Sequence, residues 1–267
     1  MSIKFFPRLQ LNKMFLALMV SCVLCSGQGL EAAENRDQIP ELAQMTRLAS
    51  EKVPPGISVK EIEYQVKKDF YQIQSGLEQL SMLGEVKGYF ENAVEKSEEK
   101  FDAGEEGVTQ SNITKLKLGL AGTRNDLIEL ETEVRIAKLS LGNRLNWVFS
   151  EKAELVQDKI VPVEFNYKGF DEFLSFLNNP HQVISDARIF ELEKAFYRVT
   201  EASEKMKLAQ ESRKITRTLL VTEVANYDFG IGSSGDLFEA LIIYSRVVRG
   251  YCQSIYNYNL AVAEMFR

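Results

Sequence analysis

The chain has 267 residues, 45% of them hydrophobic and 26% charged, with only 6 prolines and a formal net charge of -6. This is a helix-friendly composition, long enough to bury a sizeable core, and its acidic balance gathers lysine and arginine on no single face, so it carries no electrostatic footprint for nucleic acid. The one histidine, His181, stands beside Pro180 in a connector, so neither a Ser-His-Asp constellation nor a histidine metal site can be convincingly assembled within one chain.

Residues 1–33 stand apart. Lys4, Arg8 and Lys13 form a positive start, residues 14–24 (MFLALMVSCVL) an apolar run, and Ser26, Gly27, Gly29, Ala32 and Ala33 a small-residue stretch. This is the layout of a secretory signal peptide, with an uncleaved membrane anchor as the alternative and a lipid attachment at Cys22 as a poorer match. Removal of this leader takes Cys22 and Cys25 with it and leaves Cys252 alone, hence no internal disulfide in the exported chain.

Residues 34–58 are polar and broken by Pro40, Pro54 and Pro55, which leaves room for a short helix at 41–48 within a peripheral strap. Over 59–100 no proline occurs, and Val59, Ile62, Val66, Phe70, Ile73, Leu77, Leu80, Leu83, Val86, Phe90 and Val94 recur every three or four residues. That spacing predicts one amphipathic helix of about 40 residues, on the order of 60 Å long. Residues 101–112 (FDAGEEGVTQSN) interrupt it. A second helix then follows, with a seam at Ile113, Leu116, Leu120, Thr123, Leu127, Leu130, Val134, Ala137, Leu141 and Arg144.

Between 146 and 180 the heptads vanish, with an expected extended piece at 159–167, a short helix at 170–177 and a stop at Asn178-Asn179-Pro180. A third long helix is expected from His181, carried by Leu192, Ala195, Val199, Ala202, Met206 and Ala209. After a polar stutter at 210–214 its apolar face resumes at Ile215, Leu219, Leu220, Val224 and Tyr227. Gly230 and Gly232 allow a turn, and Ser233, Ser234 and Asp236 can cap a fourth helix. Its seam is Leu237, Leu241, Tyr244, Val248, Tyr251, Ile255, Tyr258, Val262 and Met265. The regular four-three alternation is that of a helix supercoiling with a partner.

The chain repeats itself. FDAG ends at Gly104 and YDFG at Gly230, each closing one long helix before another, at an offset of 230 − 104 = 126 residues. The predicted architecture is all-α: two long antiparallel helical hairpins forming a coiled-coil bundle with both turns at one end. The divisions are a leader at 1–33, a strap at 34–58, a first hairpin at 59–148, a connector at 149–180 and a second hairpin at 181–267.

This repeat resembles the outer-membrane efflux, TolC-like, family, whose hairpin turns carry an aromatic residue, a glycine three positions on, and an Asp-aliphatic pair six positions after the glycine. Tyr227, Gly230, Asp236 and Leu237 match, followed by an aromatic and asparagine cluster at 256–260 (YNYNL). In the first copy Phe101 and Gly104 match, but position 110 is Gln110, and Asn112-Ile113 is the nearest counterpart. Asn178-Asn179-Pro180 is similar to the family's entry into its second repeat. The resemblance covers roughly 59–267 and implies an exported envelope transport component, a trimer, and a periplasmic adaptor and outer-membrane partner. It also implies a partner-binding end formed by Phe101, Gly104, Asn112, Tyr227, Gly230, Gly232, Asp236 and Leu237. The chain departs from the family in having no stretch of alternating polarity suited to a transmembrane β-strand, so it reads as the helical part without the barrel.

The same residues have plainer readings. Asp236 either forms an acidic ring at a pore mouth or caps its helix, the glycines either dock a partner or merely turn the chain, and Tyr244, Tyr251 and Tyr258 read as seam packing. Glu98-Glu99 and Glu105-Glu106 read as solvated helix ends, and FGIGSSGD follows a helix rather than the strand a phosphate-binding loop needs. No catalytic residue, metal or cofactor is expected. The alternative function is a periplasmic scaffold or adaptor whose turns bind another protein without forming a channel.

Overall fold

The computed structural model describes residues 34–267 except 54, 106 and 178–183. The leader with Cys22, the Asn178-Asn179-Pro180 stop and His181 therefore lie outside the described residues. In chain order the elements are β1 Glu34–Ile39, α1 Leu42–Glu51, α2 Val59–Asp102, α3 Gln110–Leu145, β2 Trp147–Leu155, α4 Phe170–Leu177, α5 Asp186–Asp228 and α6 Ser234–Met265. The fold is predominantly helical, with one small two-stranded sheet among the described residues.

Each long helix begins on a hydroxyl that accepts a backbone N–H of its first turn: Ser58 from Glu61, Thr109 from Asn112, Ser185 from Arg188 and Ser233 from Asp236. Such a cap contributes about 1 kcal/mol each. Contacts between α2 and α3 pair Glu98 with Lys117, Glu91 with Arg124, Gln72 with Glu133 and Asp69 with Arg144, so the two helices run in opposite directions. The exposed pairs among them add little stability. The seam residues supply more, since burying each large apolar side chain contributes roughly 1.5–3 kcal/mol. Val66, Phe70, Ile73, Leu83, Val86 and Phe90 of α2 are buried, as are Ile113, Leu116, Leu130, Val134 and Leu141 of α3.

The helix α6 is central. Leu237, Leu241, Tyr244, Val248, Ile255, Tyr258, Val262 and Met265 are all buried, packed between α2 on one side and α5 on the other. Phe90 of α2 meets Phe238 of α6 edge to face at 6.4 Å, while Arg217 of α5 donates to the Tyr244 hydroxyl at 3.3 Å. By contrast α5 is an outer helix that packs chiefly along α6 and meets α2 near its end, through Tyr227 and Asp228. Accordingly its expected seam is only partly realised: Leu220 and Tyr227 are buried, but Ile215 and Leu219 are exposed, with none of the described helices covering that face.

The sheet corrects the expected strap and connector. β1 and β2 pair in parallel, with Glu34 opposite Trp147 and Arg36 opposite Phe149, after which the register slips so that Gln38 faces Glu154. A parallel pair needs a long crossover, which α1, α2 and α3 supply. β2 begins at Trp147, inside the stretch assigned to the first helical pair, directly after Asn146 turns the chain at φ 56°. Residues 159–167, expected to be extended, form no strand among the described residues. They lie as a strap held by side chains: Asn259 Nδ2 donates to Val161 O at 2.8 Å, Asn259 Oδ1 accepts from Val163 N at 2.9 Å, and Gln74 donates to the carbonyls of Gln157 and Lys159.

Candidate functional site

Two turns join the long helices, and they share one construction. After α2, Gly104 sits at φ 73°, and after α5, Gly230 sits at φ 74°. In both, the glycine N–H returns to the aromatic residue three positions back, Phe101 O or Tyr227 O, and the next residue bonds five positions back, Glu105 to Lys100 O and Ile231 to Asn226 O. This is a Schellman closure, which needs a left-handed residue that glycine supplies without a Cβ penalty.

The following caps also match. Thr109 Oγ1 accepts from Asn112 N and donates to Asn112 Oδ1, just as Ser233 Oγ accepts from Asp236 N and donates to Asp236 Oδ2. Ile113 and Leu237, the residues after each cap pair, are both buried. The two caps are offset by 236 − 112 = 124 residues and the two glycines by 230 − 104 = 126, so the first turn is two residues longer.

The turns lie side by side. Tyr227, buried, meets Ser97 through their hydroxyls at 2.6 Å, Asn112 Nδ2 donates to Ser234 Oγ at 3.0 Å, and Lys96 pairs with Asp228 at 2.6 Å. Lys100 lies 4.8 Å from the centre of the Tyr227 ring. Of the residues singled out from the sequence, Tyr227 and Leu237 are thus core and Asn112 is a tie between turns. Phe101, Gly104, Gly230 and Asp236 are exposed, and Asp236 serves as a cap partner for Ser233. Gly232 is half-buried, where a Cβ would stand 2.8 Å from Asn226 Cβ.

Sequence reasoning passed over the two most projecting apolar groups. Phe229 is 82% exposed and Ile231 79% exposed, on either side of Gly230. They interrupt no helical period, and only the exposure of the turn reveals them. Ser97, which helps tie the turns together, was equally unmarked, since an isolated serine in a helix carries no pattern, and Ser234 was marked only as a cap.

Cys252 is fully buried in the core, and burial, reinforced by Glu78, pushes its thiol up to about 12. Among the described residues no cluster of His, Cys, Asp or Glu is arranged to hold a metal ion, and no helix is long and apolar enough to cross a membrane. No model of a known protein family matches the chain, and no curated protein matches it significantly. The resemblance therefore rests on the turn residues, the cluster at 256–260 and the Asn178-Asn179-Pro180 segment alone.

Proposed function

We propose that the chain is an exported, non-enzymatic component of an envelope transport assembly, built as two antiparallel helical hairpins that pack as a coiled coil and dock a partner at their turns. The observation that carries this reading is the pair of like-built turns held side by side, with Phe101, Phe229 and Ile231 presented to solvent around them. A projecting aromatic and aliphatic group on a rigid, hydrogen-bonded base is the kind of anchor that interfaces use. Exposed apolar residues on the outer helices, Ile128 and Ile136 on α3 and Leu208 and Ile215 on α5, support self-association, for which the efflux resemblance implies a trimer. The protein then resides in the periplasm or against the outer membrane, and meets a periplasmic adaptor through the turns. A separate partner supplies the passage through the membrane, because β1 and β2 run parallel and β2 lacks the in-out alternation that antiparallel barrel strands have.

Light scattering on the full chain tests the assembly: a three-chain particle is expected, and a stable monomer sinks the conduit in favour of a scaffold without a channel. Photo-crosslinking in cells from position 229, compared with exposed Lys205, tests the turns. Selective capture of an envelope transport protein from position 229 supports docking, and equal yields from both positions refute it.

A further inference from the structure

A cavity of about 410 Å³ opens between α2, α3 and β2, away from the turns. Its walls are Leu77, Leu80, Val134, Leu139, Trp147 and Phe149, and its size falls within the roughly 300–1,000 Å³ typical of small-molecule sites. The register slip in the sheet builds one wall: between the Arg36–Phe149 and Gln38–Glu154 pairs, residues 150–153 of β2 bulge out opposite a single residue of β1. Lys138 holds the bulge by donating to Ala153 O at 2.7 Å and Glu151 O at 3.5 Å. Ser150, at the start of the bulge, also lines the cavity, and its Oγ is buried with no hydrogen-bond partner.

The lining charges decide what fits. Glu131 and Glu151 balance Arg135 and Lys138, Arg135 is paired with Glu151 at 3.4 Å, and the Lys138 ammonium is committed to backbone carbonyls. An anion would find both lining cations already committed and would face the exposed Glu131 carboxylate. A buried hydroxyl without a partner costs free energy that a single polar atom on a ligand recovers. We infer that this cavity binds a small molecule without negative charge, with an apolar, ring-sized body and one hydrogen-bonding group that Ser150 Oγ meets by turning from its buried position. Binding there requires neither export nor a partner at the turns.

The chain contains one tryptophan, and it lines the cavity, so Trp147 emission reports occupancy directly. The full chain is titrated with N-phenyl-1-naphthylamine, uncharged with one N–H, and with 8-anilino-1-naphthalenesulfonate, which adds a negative charge to a similar body. Saturable quenching of Trp147 at one probe per chain is expected, with the sulfonate weaker by about tenfold or more. Leu139 is 67% exposed, so Leu139→Glu leaves the thermal melt unchanged while weakening N-phenyl-1-naphthylamine by about tenfold or more. Ser150→Ala, which removes the orphan hydroxyl, weakens the probe about fivefold without lowering the melt. Equal affinity for the two probes, an unaltered affinity in Leu139→Glu or Ser150→Ala, or no saturable quenching overturns the assignment. A Trp147 shift that follows protein concentration without any probe also overturns it, because a second copy then fills the cavity.

Discussion

Replacing Asn259 by leucine tests how the strap at 159–167 is held. Asn259 is 1% exposed, and its carboxamide closes a two-bond clamp on the strap, donating to Val161 O at 2.8 Å and accepting from Val163 N at 2.9 Å. Leucine keeps the branched shape while both bonds vanish, but its methyl groups are bulkier than the carboxamide, so the lost bonds set a lower limit on the destabilisation. Each bond contributes about 1 kcal/mol net, and leaving the half-buried Val163 N–H unpaired adds about 1 kcal/mol more. The Val161 carbonyl recovers part of its loss from water, since Val161 is exposed. The expected destabilisation is at least about 2–3 kcal/mol, or roughly 4–12 °C in Tm for a chain of this size. Asn259→Asp keeps the acceptor for Val163 N but sets a buried carboxylate against the Val161 carbonyl, so at neutral pH it destabilises at least as much as leucine and recovers on acidification, when the protonated carboxyl can donate. Urea unfolding followed by circular dichroism at 222 nm measures the totals, and hydrogen exchange at the Val163 amide gives the local loss. A variant Asn259→Leu within about 0.5 kcal/mol of the parent, with unchanged exchange at Val163, refutes the clamp.

Three other outcomes are expected. A double-mutant cycle of Ser97→Ala and Tyr227→Phe yields a coupling of about 1 kcal/mol in unfolding free energy, and a coupling below about 0.3 kcal/mol means the turns are not tied through these hydroxyls. Asp69 has its pKa raised by burial, with the Arg144 hydrogen bond and charge pulling the other way. The folded state therefore holds this proton more tightly, so the carboxyl's contribution declines as pH rises from about 4 through the raised value and then levels off. The parent-minus-Asp69→Asn stability difference accordingly falls with pH across that window, and a difference that rises contradicts the burial argument. Cys252, fully buried and with its thiol pushed up to about 12, resists iodoacetamide at neutral pH until the protein unfolds. Mass spectrometry of the alkylated Cys252 peptide checks this, and rapid labelling under native conditions would show that α6 opens locally.

The candidate site was legible only in part. The glycine positions and aromatic residues of both turns could be read because a positive φ leaves a compositional mark, and Gly104 and Gly230 at φ 73° and 74° carry it. The two-residue difference between the turns was visible as a mismatch at Gln110, and its resolution at Asn112 comes from the matching caps. That Phe229 and Ile231 project could not be read, because an apolar residue in a loop has the same signature whether it is tucked in or exposed. The role of Asn259 was hidden for a related reason. The sequence marked it as part of a cluster with Tyr258, but the strap it grips lies 259 − 163 = 96 residues earlier.

By itself the sequence determined the helical class and the position of the long helices, because helix formation and its buried face are encoded in residues three and four apart. The period over 59–100 and the observed α2, Val59–Asp102, nearly coincide for that reason. The tertiary structure alone decided which helix lies outermost, and so left Ile215 and Leu219 of α5 exposed while every seam residue of α6 except half-buried Tyr251 was covered. It also decided the sheet. The segment ENRDQI has no apolar alternation to announce a strand, and it becomes one only because its backbone finds that of Trp147–Leu155, at a separation of 147 − 34 = 113 positions along the chain. Backbone hydrogen bonds are indifferent to side-chain identity, so this pairing, and the cavity that its register slip opens, follow from what the packed helices bring together.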